Sequence, residues 1–260
     1  DILYGRPRLA LTALARHLGK ERVACSRAVA AAIDAPPVTV IHGPLDASRY
    51  DDLLDKREAR RRLGLDAESP LVAIVGRINR WKGHDRYLRI AAMVNERVSA
   101  RFAVVGSPVF RDETFLPELH RLAESLSIRE RVHFIPWVDD PRVVYAAIDL
   151  HCNCSSAEPF GRTSIEAAAA GVPTVCFDDG GSAEAIVPGV TGVAVPPGDE
   201  RAFADAVVFY LRDPAALAAA SSAARRDRPR FDVGPASLTL YSVLRRAAYP
   251  TDPETHVNGA

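Results

Sequence analysis

From about Leu71 the chain alternates short β-branched runs with stretches whose apolar positions recur every three or four residues. The runs Leu71–Val75, Phe102–Val105, Val132–Ile135, Leu150–Cys154, Thr174–Phe177 and Val193–Val195 predict strands. Between them, Arg86–Val98, Leu116–Ser125, Arg142–Ile148 and Ser164–Ala170 predict helices. Those intervals suit βαβ crossovers, so the expected fold is α/β, a Rossmann-like doubly wound parallel sheet. Gly76, Gly106 and Gly161 fall at strand-to-helix turns, where the chain bends tightly or approaches a ligand. In such a sheet ligands sit at the carboxyl ends of the strands, which locates a site before any motif is considered.

The ends of the chain follow another pattern. Residues 1–46 predict a helix (Arg8–Leu18), a strand (Val23–Cys25), a helix (Arg27–Ile33) and a strand (Val38–Ile41). That is too little to close a domain alone. Ala215–Arg228, rich in Ala and Arg, reads as a plain surface helix. Leu238–Ala247 is one more amphipathic stretch, and the Pro-, Gly- and His-containing tail at 250–260 reads as mobile.

Composition narrows the chemistry. Among 260 residues, 48% are hydrophobic, and 33 Lys+Arg balance 33 Asp+Glu, so no polyanionic partner such as nucleic acid is expected. Phosphate binding must then come from a few placed groups. Cys152 and Cys154 fall on one face of a predicted strand; with no second Cys or His pair at ligand spacing, they, Cys25 and Cys176 read as reduced thiols. That suits a reducing, cytoplasmic compartment. His17, His42, His84, His120, His133, His151 and His256 are scattered, and no metal is assigned. No apolar run approaches the roughly 20 residues of a membrane span, and no signal peptide is visible. The chain begins at Asp1, without Met, and reads as a fragment or a processed product.

Three segments could carry chemistry. Gly76-Arg77-Ile78-Asn79-Arg80-Trp81-Lys82-Gly83 follows a predicted strand and opens a helix. A cation such as Lys82 at a helix start opposes the helix dipole, which makes sense if an anion such as a diphosphate lies between them. Two solvated surface cations are the other reading. Glu158 precedes Pro159 and belongs to an extended loop; Gly161 allows close approach; Ser164 and Ile165 open an Ala-rich helix with Glu166 in its first turn. Glu166 either complements the helix dipole or accepts from a vicinal diol such as a ribose. In Asp178–Glu184, Gly180 and Gly181 can approach a ligand, Ser182 reads as an N-cap, and Glu184 sits in the turn after it.

Together these segments resemble the retaining glycosyltransferases of family 4, which have the two-domain GT-B architecture. Gly76-Arg77 through Lys82-Gly83 looks like that family's G-R-x4-K-G diphosphate loop, and Glu158-Pro-Phe-Gly-Arg-Thr-Ser-Ile-Glu166 matches its E-x7-E motif. Ala169-Ala-Gly-Val-Pro-Thr174, Gly180–Glu184, and Gly189–Gly192 through Pro196–Asp199 continue the pattern, so the resemblance runs in order from about Val23 to Tyr241.

The resemblance implies a nucleotide-diphosphate sugar (UDP, GDP or ADP) as donor substrate, no cofactor and no metal. Glu158, Arg77 and Lys82 become the catalytic candidates. The two cations would neutralise the departing diphosphate, and Glu158, with the backbone of Phe160 and Gly161, would hold the sugar hydroxyls. Gly76, Trp137, Val138, Phe160, Gly161, Arg162, Thr163 and Glu166 are the donor-binding candidates: the amides of Arg162 and Thr163 for phosphate, Glu166 for ribose, and Pro136–Val138 for the base. It also implies the end of an acceptor domain and linker at 1–46, a donor-binding domain at 47–232 and a crossover helix at 233–249. Most of the acceptor domain is missing, so the chain is expected to bind donor weakly and to turn over little or nothing alone. A carbohydrate or lipid-linked acceptor would meet the missing domain, with peripheral contact at the inner membrane face for the full-length enzyme.

The chain departs from the family at Ile41-His42-Gly43-Pro44-Leu45-Asp46, where Asn-Gly is usual. A nucleotide-sugar epimerase of related fold would need ionisable groups at the sugar carbon, and a non-catalytic nucleotide-sugar-binding module would need none. A dinucleotide-dependent dehydrogenase is disfavoured because no G-x-G-x-x-G follows the first strand.

Overall fold

The computed structural model describes residues 21–33, 37–108 and 114–249. The expected helix Arg8–Leu18, the tail after residue 249, and His17 and His256 lie outside them. In chain order come β1 (Val23–Ala24), α1 (Arg27–Ile33), β2 (Thr39–Val40), α2 (Lys56–Arg62) and β3 (Leu71–Val75). Then follow α3 (His84–Asn95), β4 (Arg101–Val105), α4 (Phe115–Ser125), β5 (Val132–Ile135), α5 (Arg142–Ala147) and β6 (Leu150–Asn153). The last are α6 (Arg162–Ala169), β7 (Thr174–Phe177), β8 (Gly192–Val195), α7 (Glu200–Arg212), α8 (Pro214–Asp227) and α9 (Val233–Ala248).

The chain divides into two compact units, residues 47–230 and residues 1–46 with 231–260. In the second unit β1 and β2 pair in parallel. Its two chain segments are joined by backbone bonds, Leu45 N to Phe231 O and Val233 N to Leu45 O, and by the Arg246–Glu21 ion pair. Asp232 caps α9 by accepting from the amide of Val233, so this helix starts earlier than its apolar period indicates.

Residues 47–230 form a six-stranded, wholly parallel sheet in the order β5-β4-β3-β6-β7-β8. The chain runs outward from β3 through β4 to β5, then returns across β3 to lay down β6, β7 and β8. The carboxyl ends of β3 and β6 are therefore a topological switch point, where loops diverge and leave a crevice. Both strands are fully buried apart from Val75. Val72, Ile74, Phe102, Val104, Cys152, Val175 and Phe177 form one core face with Tyr87, Leu88 and Ile90 of α3 and Phe203 and Val207 of α7. Cys154 joins the same cluster just beyond β6, and none of the four cysteines is in a disulfide.

Several helices differ from expectation. α6 begins at Arg162 rather than Ser164, because Gly161 takes a left-handed φ of 95° and becomes the residue before the helix. The apolar pattern does not predict α2 or α7. α7 is stabilised at its start by Asp199, whose carboxylate accepts from the amide of Ala202. α8 is not a plain surface helix: Ala220, Ala223 and Ala224 are buried, and Ser221 Oγ donates to Gly171 O at 2.6 Å. Asp213 caps it, with Pro214 in the first turn, where its missing N–H leaves nothing unsatisfied.

Candidate functional site

The loops after β3 and β6 close on one another through backbone contacts. Ser156 N donates to Trp81 O at 2.8 Å. Gly83, at φ 73°, passes so near the strand end that a Cβ there would lie 2.1 Å from Cys154 O. The glycine after Lys82 is thus required by loop packing, in a conformation that L side chains rarely adopt. Arg86 adds a 2.6 Å bond from its guanidinium to Ser156 Oγ. Gly106 is packed in the same way at the end of neighbouring β4, where a Cβ would meet Gly76 O at 1.9 Å.

This closure sets Lys82 Nζ 2.6 Å from Glu158 Oε2, with side-chain exposures of 17% and 6%. Lys82 lies in a 3-10 turn (Arg80–Lys82) before α3, not in the helix itself, and Asn79 caps that turn. It is not a solvated surface cation: its partner here is the carboxylate of Glu158. Burial lowers the lysine's affinity for its proton, Glu158 opposes that, and Arg77 adds to it. Arg77 is exposed and makes no side-chain hydrogen bond or ion pair among the described residues.

The loop after β7 fixes Glu158 from behind. Gly181 N donates to Glu158 O at 2.6 Å, and Glu158 bridges to Gly180. A Cβ on Gly180, at φ 75°, would stand 2.3 Å from the same carbonyl. Gly180 and Gly181 therefore approach the Glu158 backbone. Ser182 is not the expected N-cap: it is the first residue of a 3-10 turn (Ser182–Ala185), and its hydroxyl donates to Asp179 O.

Glu158 leads through buried Phe160 to Gly161, whose φ turns the chain into α6 and presents the first-turn amides of Arg162 and Thr163 at the helix start. The amide of Ser164 turns back to Gly161 O at 2.9 Å. Thr163, Lys82, Asn153, Ser155 and His84 line one small recess at the ends of β3 and β6. His84 is fully buried without a well-formed hydrogen bond, and burial, helped by the charge of Lys82, pushes its imidazole down to about 4. Neither His84 nor Asn153 stands out as a site residue in the sequence; only a polar residue type beside the motif could have flagged them.

Glu166 is the fifth residue of α6, not a first-turn residue, so dipole complementation does not account for it. Its carboxylate has two partners: Tyr145 Oη donates to Oε2 at 3.0 Å and Arg162 Nε donates to Oε1 at 3.1 Å. Trp137 and Val138 follow the edge strand β5, two strands from β3. Trp137 is 60% exposed, and its amide donates to Ser107 Oγ in the loop after β4. A cavity of about 490 Å³, lined in part by Lys56, Asp149, Gly171, Ser221 and Arg225, contains none of the candidate donor-binding residues.

The fold and this cluster define a class, a GT-B-type α/β domain with a paired cation and carboxylate at its switch point. The chain belongs to the family described as glycosyl transferases group 1, whose model matches residues 55–227. It is 30% identical over 236 residues to the lipopolysaccharide core biosynthesis mannosyltransferase LpsB of Rhizobium meliloti, covering 85% of this chain and 67% of that one. It is 36% identical over 217 residues to the D-inositol 3-phosphate glycosyltransferase of Mycolicibacterium paratuberculosis, covering 82% of this chain and 48% of the other. The chain thus spans about half the length of that relative. The crystal structure of Anabaena Alr3699/HepE in complex with UDP-glucose superposes with a TM-score of 0.84 at 28% identity, over 94% of this chain and 70% of that one.

Proposed function

We propose that this chain supplies the donor site of a retaining, family 4 glycosyltransferase that moves a sugar from a nucleoside diphosphate to a carbohydrate or lipid-linked acceptor. The observation that carries the proposal is the Lys82–Glu158 contact at the switch point, 2.6 Å across and beside the first turn of α6. A cation next to a carboxylate matches a substrate whose leaving group is anionic and whose reacting end is a polyol. Arg77, Lys82 and the amides of Arg162 and Thr163 would stabilise negative charge as the bond from sugar carbon to phosphate oxygen breaks. Glu158 would accept from sugar hydroxyls and Glu166 from the ribose, with Gly76, Phe160 and Gly161 shaping the backbone around them and Trp137 and Val138 flanking the base.

Residues 47–230 act as the donor domain, and 1–46 with α9 belong to the acceptor side in the full-length protein. The bond to the acceptor oxygen forms on the face the diphosphate leaves, retaining the anomeric configuration. The relatives are named as transferases, which does not favour an epimerase. No helix among the described residues is long and apolar enough to cross a membrane. With its reduced cysteines, the enzyme fits the cytoplasm, and a lipid-linked acceptor would bring it to the inner membrane face.

Thermal unfolding with UDP, GDP, ADP and their sugars tests the donor site. At least one should raise the midpoint in a concentration-dependent way. No stabilisation by any of them at millimolar concentration contradicts the proposal.

A further inference from the structure

Glu166 is held by two donors of different character. Arg162 is on the same helix, one turn back, with its side chain 60% exposed. The Glu166 side chain is only 15% exposed, but the Arg162 end of the pair reaches solvent, so a ligand can compete for that contact. Tyr145 comes from a different helix, α5, and is 1% exposed. Its ring is wedged between Tyr50, at 6.5 Å between centroids, and His151, at 6.4 Å edge-on. His151 is in turn held by Thr174, 3.2 Å from Nδ1. The ring is thus packed by aromatic neighbours on two sides, and its hydroxyl donates to Glu166 Oε2.

A buried tyrosine hydroxyl needs a partner, and a carboxylate is a stronger acceptor for it than any neutral group. Burial and the neighbouring carboxylate both push the phenol well above its usual range, so it remains a donor at any physiological pH. The consequence falls on Glu166. With Oε2 pinned from the buried side, the carboxylate plane is set, and Oε1 is left toward the exposed Arg162 side, where a diol can replace or share that contact.

We infer that Tyr145 is a positioning residue for the donor's ribose: it orients Glu166 without touching the nucleotide itself. This rests on the ribose reading of Glu166 given above. A preset carboxylate spares the nucleotide the ordering of a free glutamate side chain, and the gain is specific to ligands that carry the diol.

The test compares the wild-type chain with Tyr145→Phe, Glu166→Ala and the double variant. Dissociation constants are measured for UDP, GDP and ADP, for their 2′-deoxy counterparts and for inorganic pyrophosphate. Tyr145→Phe should weaken the best-bound ribonucleotide about tenfold, the size of a lost hydrogen bond to a charged group. It should move the 2′-deoxy counterpart by less than about twofold and leave pyrophosphate unchanged. The double variant should bind no worse than Glu166→Ala, because Tyr145 acts through that carboxylate.

If Glu166→Ala weakens the ribonucleotide and Tyr145→Phe does not, the inference about Tyr145 fails and the ribose reading stands. If Glu166→Ala leaves the ribonucleotide unaffected, both fail. Equal weakening of pyrophosphate by Tyr145→Phe marks a merely structural role and overturns the inference. Should Tyr145→Phe not fold, 3-fluorotyrosine placed at position 145 supplies the readout: its fluorine resonance should shift with ribonucleotide and not with pyrophosphate, and no difference between the two overturns it.

Discussion

Lys82 Nζ and Glu158 Oε2 lie 2.6 Å apart, although 76 positions separate them in the chain. Neither side chain is well exposed, so each neutralises a charge that would otherwise be expensive to bury. Removing one partner strands the other. Lys82→Met should destabilise the fold by about 3 kcal/mol, and Lys82→Met with Glu158→Gln should recover most of that loss. Urea midpoints of the two single variants and the double variant check this; simple additivity would show that the pair is not coupled.

Gly180 and Gly64 form a matched pair for testing how Glu158 is held. Both have positive φ, 75° and 67°, but only Gly180 has an obstacle, the carbonyl of Glu158. Gly64→Ala should cost about 1 kcal/mol, the strain of the left-handed backbone alone. Gly180→Ala should cost more, and should weaken binding of a nucleotide sugar more than binding of the bare nucleoside diphosphate. Equal effects on both ligands would show that the carbonyl contact does not position Glu158 for a sugar.

Two buried histidines make stability depend on pH. Burial lowers His84 to about 4 and His151 to about 3, from an ordinary value of 6.5. Between those values and 6.5 the unfolded chain binds protons that the folded chain does not, so stability is present above pH 6.5 and is lost as pH falls toward 4 and then 3. From pH 7 to pH 5 each histidine should remove about 2 kcal/mol. His151→Gln and His84→Gln should each flatten the dependence of the urea midpoint on pH. An unchanged slope in both variants would contradict the assignment.

The thiols give a further check. Burial pushes Cys176 up to about 12 and raises Cys152 and Cys154 as well, whereas Cys25 is partly exposed. Only the thiolate reacts with alkylating reagents. One cysteine, Cys25, should label promptly in the native protein and all four in denaturant. Fast native labelling of Cys152 or Cys154 would mean that the β6 end opens readily.

The sheet was legible because its strands are continuous apolar runs bounded by glycine and polar residues, the mark of strands buried on both faces. Helices were legible where one face is apolar, as in α3 and α4. α2, reading Lys-Arg-Glu-Ala-Arg-Arg-Arg, hides because almost every side chain is charged and Ala59 is its only apolar residue. α7 hides for the opposite reason: Val207-Val208-Phe209-Tyr210 suits a strand as well as a buried helix. The motif residues were named through the family resemblance, since their spacing alone left a structural reading open, and their partners were not named at all. That Glu158 meets Lys82, or that Tyr145 holds Glu166, follows from strand order and loop packing, which no local pattern encodes. Gly180 shows the limit well: the sequence leaves open whether the backbone there approaches a ligand, and the fold shows that it approaches Glu158's own backbone.

The central claim is a donor site built on Arg77, Lys82 and the first turn of α6. Calorimetric titration of UDP, GDP and ADP into the wild-type chain and into the Arg77→Ala, Lys82→Ala double variant tests it most directly. At least one nucleotide should bind the wild type with a measurable dissociation constant, and its affinity should fall by a hundredfold or more, about 3 kcal/mol, in the variant. Binding of equal strength to both proteins, or to neither, would contradict the account.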